Sequence, residues 1–470
     1  MKLTPISLVM MAAMMATSCA NEELVDANPD VQGNAIQFRP LVGHSRATET
    51  TVNNLGDFAV VAKGIHPHGG VYSNYLIGSA NGGDKAIWKE GSIWNLESNV
   101  YWPTSTPSAL FWAYTTSQRA GGKRTPILPE GVSFDFDENG TTPTISKFKP
   151  SKADISQASD NGYWNDGTNQ SDLLVAFTQQ DRSTDASNVS LNFEHALSQI
   201  DIQAASNGKL SSDNRIVRIK GAWIVNANNK ANLSAGFTFD EDTQKADAKT
   251  EWGALSLDGF SAYGSFYTTP IILDNATETR KLLGTSLMII PQTLTAWNKQ
   301  AGEADNNGAY ILLLCRVELK HKGDQHSGED SANEDVYIDT QNHMHYHQQF
   351  PVNATDKFDA AEYGFVCVPV NSTWEMGKKY QYTLDICGAT TGAGIYPPDL
   401  ADTNFSTLIP DGNKFDFFGK EYTLKIVGRD EEKTGKNVGD AVLSEPIQFS
   451  VDVKPWDANS GWTSGDINLQ

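Results

Sequence analysis

The chain has 470 residues, with 36 Lys and Arg against 57 Asp and Glu, a net charge of −21 and a pI near 4.8. Such an acidic chain lacks the clustered cations that nucleic acid or an anionic lipid surface requires, which excludes both as partners. With 39% hydrophobic and 10% aromatic residues it has the composition of a folded body of two or three domains of roughly 100–200 residues each. Beyond the N-terminus no run approaches the ~20 apolar residues of a membrane span, which predicts a soluble body.

The chain opens with Lys2, a largely apolar run from Ile6 to Ala16, the small residues Thr17 and Ser18, and then Cys19. This is the order of a secretory signal peptide, so residues 1–18 are set aside from fold reasoning. A Cys at the end of the small-residue stretch looks like a bacterial lipobox, although Ala16 stands where Leu is usual. The resemblance implies lipidation of Cys19, with residues 19–35 as a tether; the alternative is an ordinary signal peptide with an incidental Cys. Glu22 and Glu23 resemble the acidic tether that directs some lipoproteins to the outer face of the outer membrane.

From residue 36 onward, apolar residues recur with period 2 between Gly, Asn, Asp and Pro clusters. Ile36-Gln37-Phe38 gives a short alternating start that ends at Pro40, followed by His44-Ser45-Arg46-Ala47-Thr48. Then come Phe58, Val60, Ala62; Leu110, Trp112, Tyr114; and Leu173, Val175, Phe177. Asp135 to Gly140 matches the first half of a calcium-binding EF-hand loop, but Ser146 stands in place of the bidentate Glu, so a polar turn is expected. Polar breaks at 146–170 and 181–188 place the main boundary near residue 188, giving an N-terminal unit 36–188 and a C-terminal unit 189–470 with a polar tail.

Val189, Leu191, Phe193, His195 and Leu197 alternate, after which the apolar phase shifts to Ile200 and Ile202, predicting a bulge or bend in one long strand. His195, on the apolar face, is expected to be a hydrogen-bonded core histidine. Ile311, Leu313, Cys315, Val317 and Leu319 form another strand face, and 322–333 read as a hairpin loop. With Cys19 removed, Cys315, Cys367 and Cys387 remain, without zinc spacing and expected as small buried groups. His343, His345 and His347 alternate, so on a strand their imidazoles would share one face and could serve zinc or copper, with Asp335 and Asp339 behind them; the alternative is an exposed polar strand or loop. Further strands are expected at Tyr380, Tyr382, Leu384, Ile386 and at Ile447, Phe449, Val451, Val453. Short alternating strands with turn-rich connections predict an all-β antiparallel sandwich architecture. No HExxH, GxSxG, Walker or GxGxxG motif appears, so no catalytic, cofactor-binding or metal residues are assigned, and the chain is not read as an enzyme.

Three segments carry more than alternation. Trp94, Tyr101-Trp102-Pro103 and Leu110-Phe111-Trp112-Ala113-Tyr114 resemble the first-domain signature of the fimbrillin family, the lipoprotein-derived subunits of type V pili. Residues 189–200 resemble the strand that opens that family's second domain, and Trp374-Glu375-Met376-Gly377 with Tyr380 and Tyr382 resembles its late Trp, Gly, Tyr-x-Tyr strand. The resemblance implies two transthyretin-like β-sandwiches and assembly with other pilin subunits by strand exchange. A lipidated precursor on the outer membrane is cut by a trypsin-like protease after an Arg, and a neighbour's strand fills the groove left by the first. Here Ile36 and Phe38 mark the removable strand, and Arg46 and Ala47 flank the expected cut. A tip or anchor role and a surface ligand stay open. So does a second reading, a glycan-binding surface lipoprotein whose 11 Trp and 15 Tyr stack on sugars, as against packing of Trp94, Trp102 and Trp112 in the core.

Overall fold

The computed structural model describes residues 35–42, 50–90, 93–137, 142–155, 163–182, 188–206, 214–274, 279–300, 307–322, 336–339, 341–352, 357–388, 391–398, 402–427, 436–456 and 468–469. Cys19, Arg46, Ala47 and Asp335 lie outside them. The described chain is all-β; its helical content is the short helix Asp402–Ser406 and the 3-10 turn Asp166–Thr168.

The alternating N-terminal segments build a sheet closed on itself. Its seven strands run in the order Gln37–Val42, Asn188–His195, Leu174–Asp181, Ser108–Thr115, Phe58–Ile65, Asp84–Glu90 and Ile93–Leu96, with the last pairing back to the first. In this half the all-β architecture closes into a ring that the first strand completes. Its interior holds Phe38, Phe58, Val60, Phe111, Trp94, Leu191 and Phe193. Phe58–Ile65 and Ser108–Thr115 are buried on both faces, so alternation there marks an inner and a covered outer face. The cover is a four-stranded sheet of Ser133–Phe136, Pro143–Phe148, Lys230–Asp240 and Lys245–Ser256, which packs Phe134, Ile145 and Phe148 onto Ala59, Val61 and Tyr114.

The phase shift after His195 has a different cause from the expected bulge. Asn188–His195 belongs to the ring, whereas Ser198–Ala205 pairs in parallel with Lys378–Asp385 in another sheet. The chain changes sheets at Ala196–Leu197, and two residues outside both ladders reset which side chains face inward. The expected boundary near 188 precedes that crossing strand. The two halves also interleave, since 143–148 and 163–165 join sheets made with strands 230–240 and 262–273.

The later sheets enclose a core of Ile200, Ile219, Leu313, Cys315, Val317, Val366, Tyr382 and Leu384. Arg215–Val225 and Tyr310–Lys322 form a long central ladder, broken by a register shift at Ile219/Gly221. Gly221 is required there: a Cβ would lie 2.1 Å from the ring of its neighbour Trp223. Cys315, Cys367 and Cys387 are buried, as expected, and burial pushes the Cys315 and Cys367 thiols up. The Trp, Gly, Tyr-x-Tyr pattern also has a local explanation. Gly377 turns the chain with φ +63°, the Trp374 indole donates to Tyr382 Oη at 2.9 Å, and the Glu375 amide donates to Tyr380 Oη at 2.8 Å.

Candidate functional site: the slot of the first strand

Gln37–Val42 alternates in burial, with Phe38, Pro40 and Val42 inward and Arg39 and Leu41 outward. It lies in parallel beside Asn188–Phe193, matching Phe38 to Val189 and Val42 to Phe193. On its other side it runs antiparallel to Ile93–Leu96, matching Phe38 to Trp94. The Ile36 amide also donates to the Val100 carbonyl at 2.8 Å. Ile36 and Phe38, expected on an exchangeable strand, are thus placed inside the ring at 2% and 0% exposure.

Phe38 meets Phe58 and Phe111 edge to face, with centroids 5.9 and 6.2 Å away. Phe58 in turn meets Phe193 at 5.3 Å and Trp94 at 6.1 Å, and the Trp94 indole is fixed by a 2.8 Å bond to the Gly56 carbonyl. Each inward apolar side chain contributes about 1.5–3 kcal/mol by leaving water. Without this strand, an aromatic-lined slot and two unpaired backbone rows would face solvent, the condition that an added strand relieves.

Behind the slot, His195 Nδ1 lies 2.7 Å from Asp172 Oδ2, with both residues buried. Asp172 Oδ2 also accepts the Thr50 amide at 3.3 Å. Thr50 is therefore tied to this pair. His195 is the bonded core histidine that its position on the strand predicts.

The other sequence candidates separate. Asp137 Oδ1 accepts the Thr142 amide at 2.8 Å and the Asp137 amide donates to the Thr142 carbonyl, which ties together the ends of the hairpin strands Ser133–Phe136 and Pro143–Phe148; residues 138–140 of the calcium-loop candidate lie outside the described residues. His343 does not share a strand face with His345 and His347. It sits in a turn with φ +52°, before the strand Met344–Phe350. Asp339 builds that turn by accepting the Gln341 and Asn342 amides rather than backing a metal. Among the described residues, no three His, Cys, Asp or Glu converge as metal ligands. The companion sequence reasoning missed is His321, on the adjacent strand, whose Nε2 lies 3.0 Å from His347 Nε2. Only the strand register could have revealed it.

Trp94, Trp112, Trp223 and Trp374 are buried in cores and Trp102 is half-buried, so these rings are packing elements rather than a sugar platform. Among the described residues no helix is long and apolar enough to cross a membrane.

The family model described as fimbrillin-like matches residues 45–395, starting just past the first strand. No curated protein matches the chain. Among solved structures, a fimbrial protein of Bacteroides vulgatus is 16% identical, with 76% of this chain and 95% of that one covered and a TM-score of 0.44. A proposed cell adhesion protein of Parabacteroides distasonis is 10% identical, with 91% and 98% covered and a TM-score of 0.38. The match of the family model over most of the chain establishes that this protein belongs to the fimbrillin-like family.

Proposed function

We propose that the chain is a structural subunit of a surface pilus, made as a lipoprotein through Cys19 and anchored in the outer membrane before assembly. A trypsin-like protease cuts after Arg46, the strand containing Ile36 and Phe38 departs, and a strand of another subunit enters its slot. The observation that carries this reading is the ring closure. Gln37–Val42 pairs with both neighbours, yet it leads directly into the segment holding Arg46, so one cut separates a closing strand from everything it closes. The remaining ring and the later sheets would then stand as the family's two transthyretin-like domains.

The tail bears on which subunit this is. Residues 468–469 pair antiparallel with Val451 and Asp452, a short contact at the open side of the strand Gln448–Pro455. A tail with few apolar positions is a poor strand donor, which favours a tip or anchor position with an adhesive role over a repeating stalk. The test is an Arg46→Ala variant expressed in the native host. It should reach the cell surface uncut and stay out of pili, whereas incorporation at the wild-type level would refute protease-triggered exchange.

A further inference from the structure

The histidines beside the last turn of the central ladder form a paired site independent of the pilus reading. Tyr310–Lys322 and Met344–Phe350 run antiparallel, with His321 opposite His345 and Leu319 opposite His347. Side chains on one strand alternate in direction. The His321, His345 and His347 rings therefore share one face, while Lys320 and Lys322 point to the other. His321 and His347 are half-buried and His345 is buried. The His321 ring lies 5.1 Å from each of the other two rings.

His321 Nδ1 is 3.5 Å from the Lys322 carbonyl, and its Nε2 faces His347 Nε2 at 3.0 Å. One of the two Nε2 atoms therefore carries a hydrogen and the other accepts it. Imidazole nitrogens bind first-row ions at about 2.0–2.1 Å, so two in adjacent positions of a square or octahedron stand roughly 2.9 Å apart. The pair already has that separation, and the rings, now head to head with centroids 5.1 Å apart, each turn by roughly 45° to bring both lone pairs onto one point at a right angle.

We propose that His321 and His347 form a two-nitrogen site for a divalent transition ion, with Cu(II) the tightest, in keeping with the affinity order of these ions and the preference of Cu(II) for tetragonal nitrogen and oxygen ligands. On binding, the hydrogen between the two Nε2 atoms passes through solvent to the Nδ1 of the ring that held it, and each Nε2 gives its lone pair to the ion. Water fills the remaining positions, since no third protein ligand converges there among the described residues. The ion bridges the two strands that the histidine pair now joins by one hydrogen bond.

The experiment uses the full exported chain without an affinity tag, titrated with Cu(II) and followed by electron paramagnetic resonance and calorimetry. One equivalent should bind with two equatorial nitrogens in the spectrum. His321→Ala and His347→Ala should each lose that signal while keeping the far-ultraviolet dichroism of the native sheet. His343→Ala, in the turn, should keep it. His321→Asn and His347→Asn provide a second pair if an Ala variant fails to fold. Absence of a one-to-one copper site in the native chain, or its survival in folded variants of both His321 and His347, overturns the proposal.

Discussion

The His195 imidazole stacks on the Trp456 indole with centroids 4.3 Å apart and planes 3° from parallel. His195 ends the last strand of the ring, and Trp456 follows Gln448–Pro455, a strand of the sheet that contains Ser198–Ala205. The contact thus joins two sheets at the point where the chain passes between them. Trp456 is 4% exposed and packs with Ala196, Leu197 and Met288. Trp456→Ala should cost about 3–5 kcal/mol, measured by urea unfolding of the uncut chain. A loss below about 1 kcal/mol would show that the stack is incidental.

The first strand should matter only until it is removed. Phe38→Ala is expected to destabilise the uncut chain by about 3–5 kcal/mol, as for other fully buried Phe residues. It should leave the stability of the chain beginning at Ala47 unchanged, because that form no longer contains residue 38. Thermal unfolding of the uncut wild-type and variant chains checks this, and a loss below about 1 kcal/mol in the uncut variant would contradict it.

Much of this was legible in the sequence, for reasons visible residue by residue. Phe58, Val60 and Ala62 point into the ring as their alternation requires, and His195 is bonded as its apolar surroundings predict. The pairing of Phe38 with Val189 was not legible. It is parallel and joins residues far apart in sequence, so no turn chemistry fixes it. The cover of strands 230–256 was also hidden, because Lys245–Ser256 alternates between exposed and half-buried residues, with few strongly apolar positions. The His343 position failed because Asp339 and a left-handed backbone make a turn where an unbroken alternation suggested a strand.

Lys220 gives the stability of the later sheets a pH dependence. Fully buried, it gives a hydrogen bond to the Thr268 carbonyl and lies 4.1 Å from the centre of the Phe415 ring. Burial lowers its pKa to about 7. Between about pH 7 and 10.5 the unfolded chain holds a proton there that the folded chain lacks, so stability rises with pH across this window. The slope from this group is at most about 1.4 kcal/mol per pH unit. Lys220→Met should remove that slope and stabilise the protein at neutral pH. Urea midpoints from pH 7 to 10 measure both effects, and an unchanged slope in the variant would contradict the assignment.

Anchoring should depend on one side chain. Cys19→Ala is expected to shift the protein from the membrane fraction to the soluble fraction of the native host, measured by immunoblot after fractionation. Unchanged partitioning would rule out lipidation at Cys19 as the anchor.

One cut after Arg46 is expected to free the strand that closes the ring. Limited proteolysis of the folded chain with a trypsin-like enzyme, followed by N-terminal sequencing and sizing of the product, tests it most directly. The sequence around Arg46 is polar, and packed strands resist cutting. The expected product is a stable fragment beginning at Ala47 that loses the 36–42 segment and binds an added donor strand or forms higher oligomers. A first stable fragment that begins elsewhere, or one that begins at Ala47 but retains the 36–42 segment and stays monomeric, would contradict it.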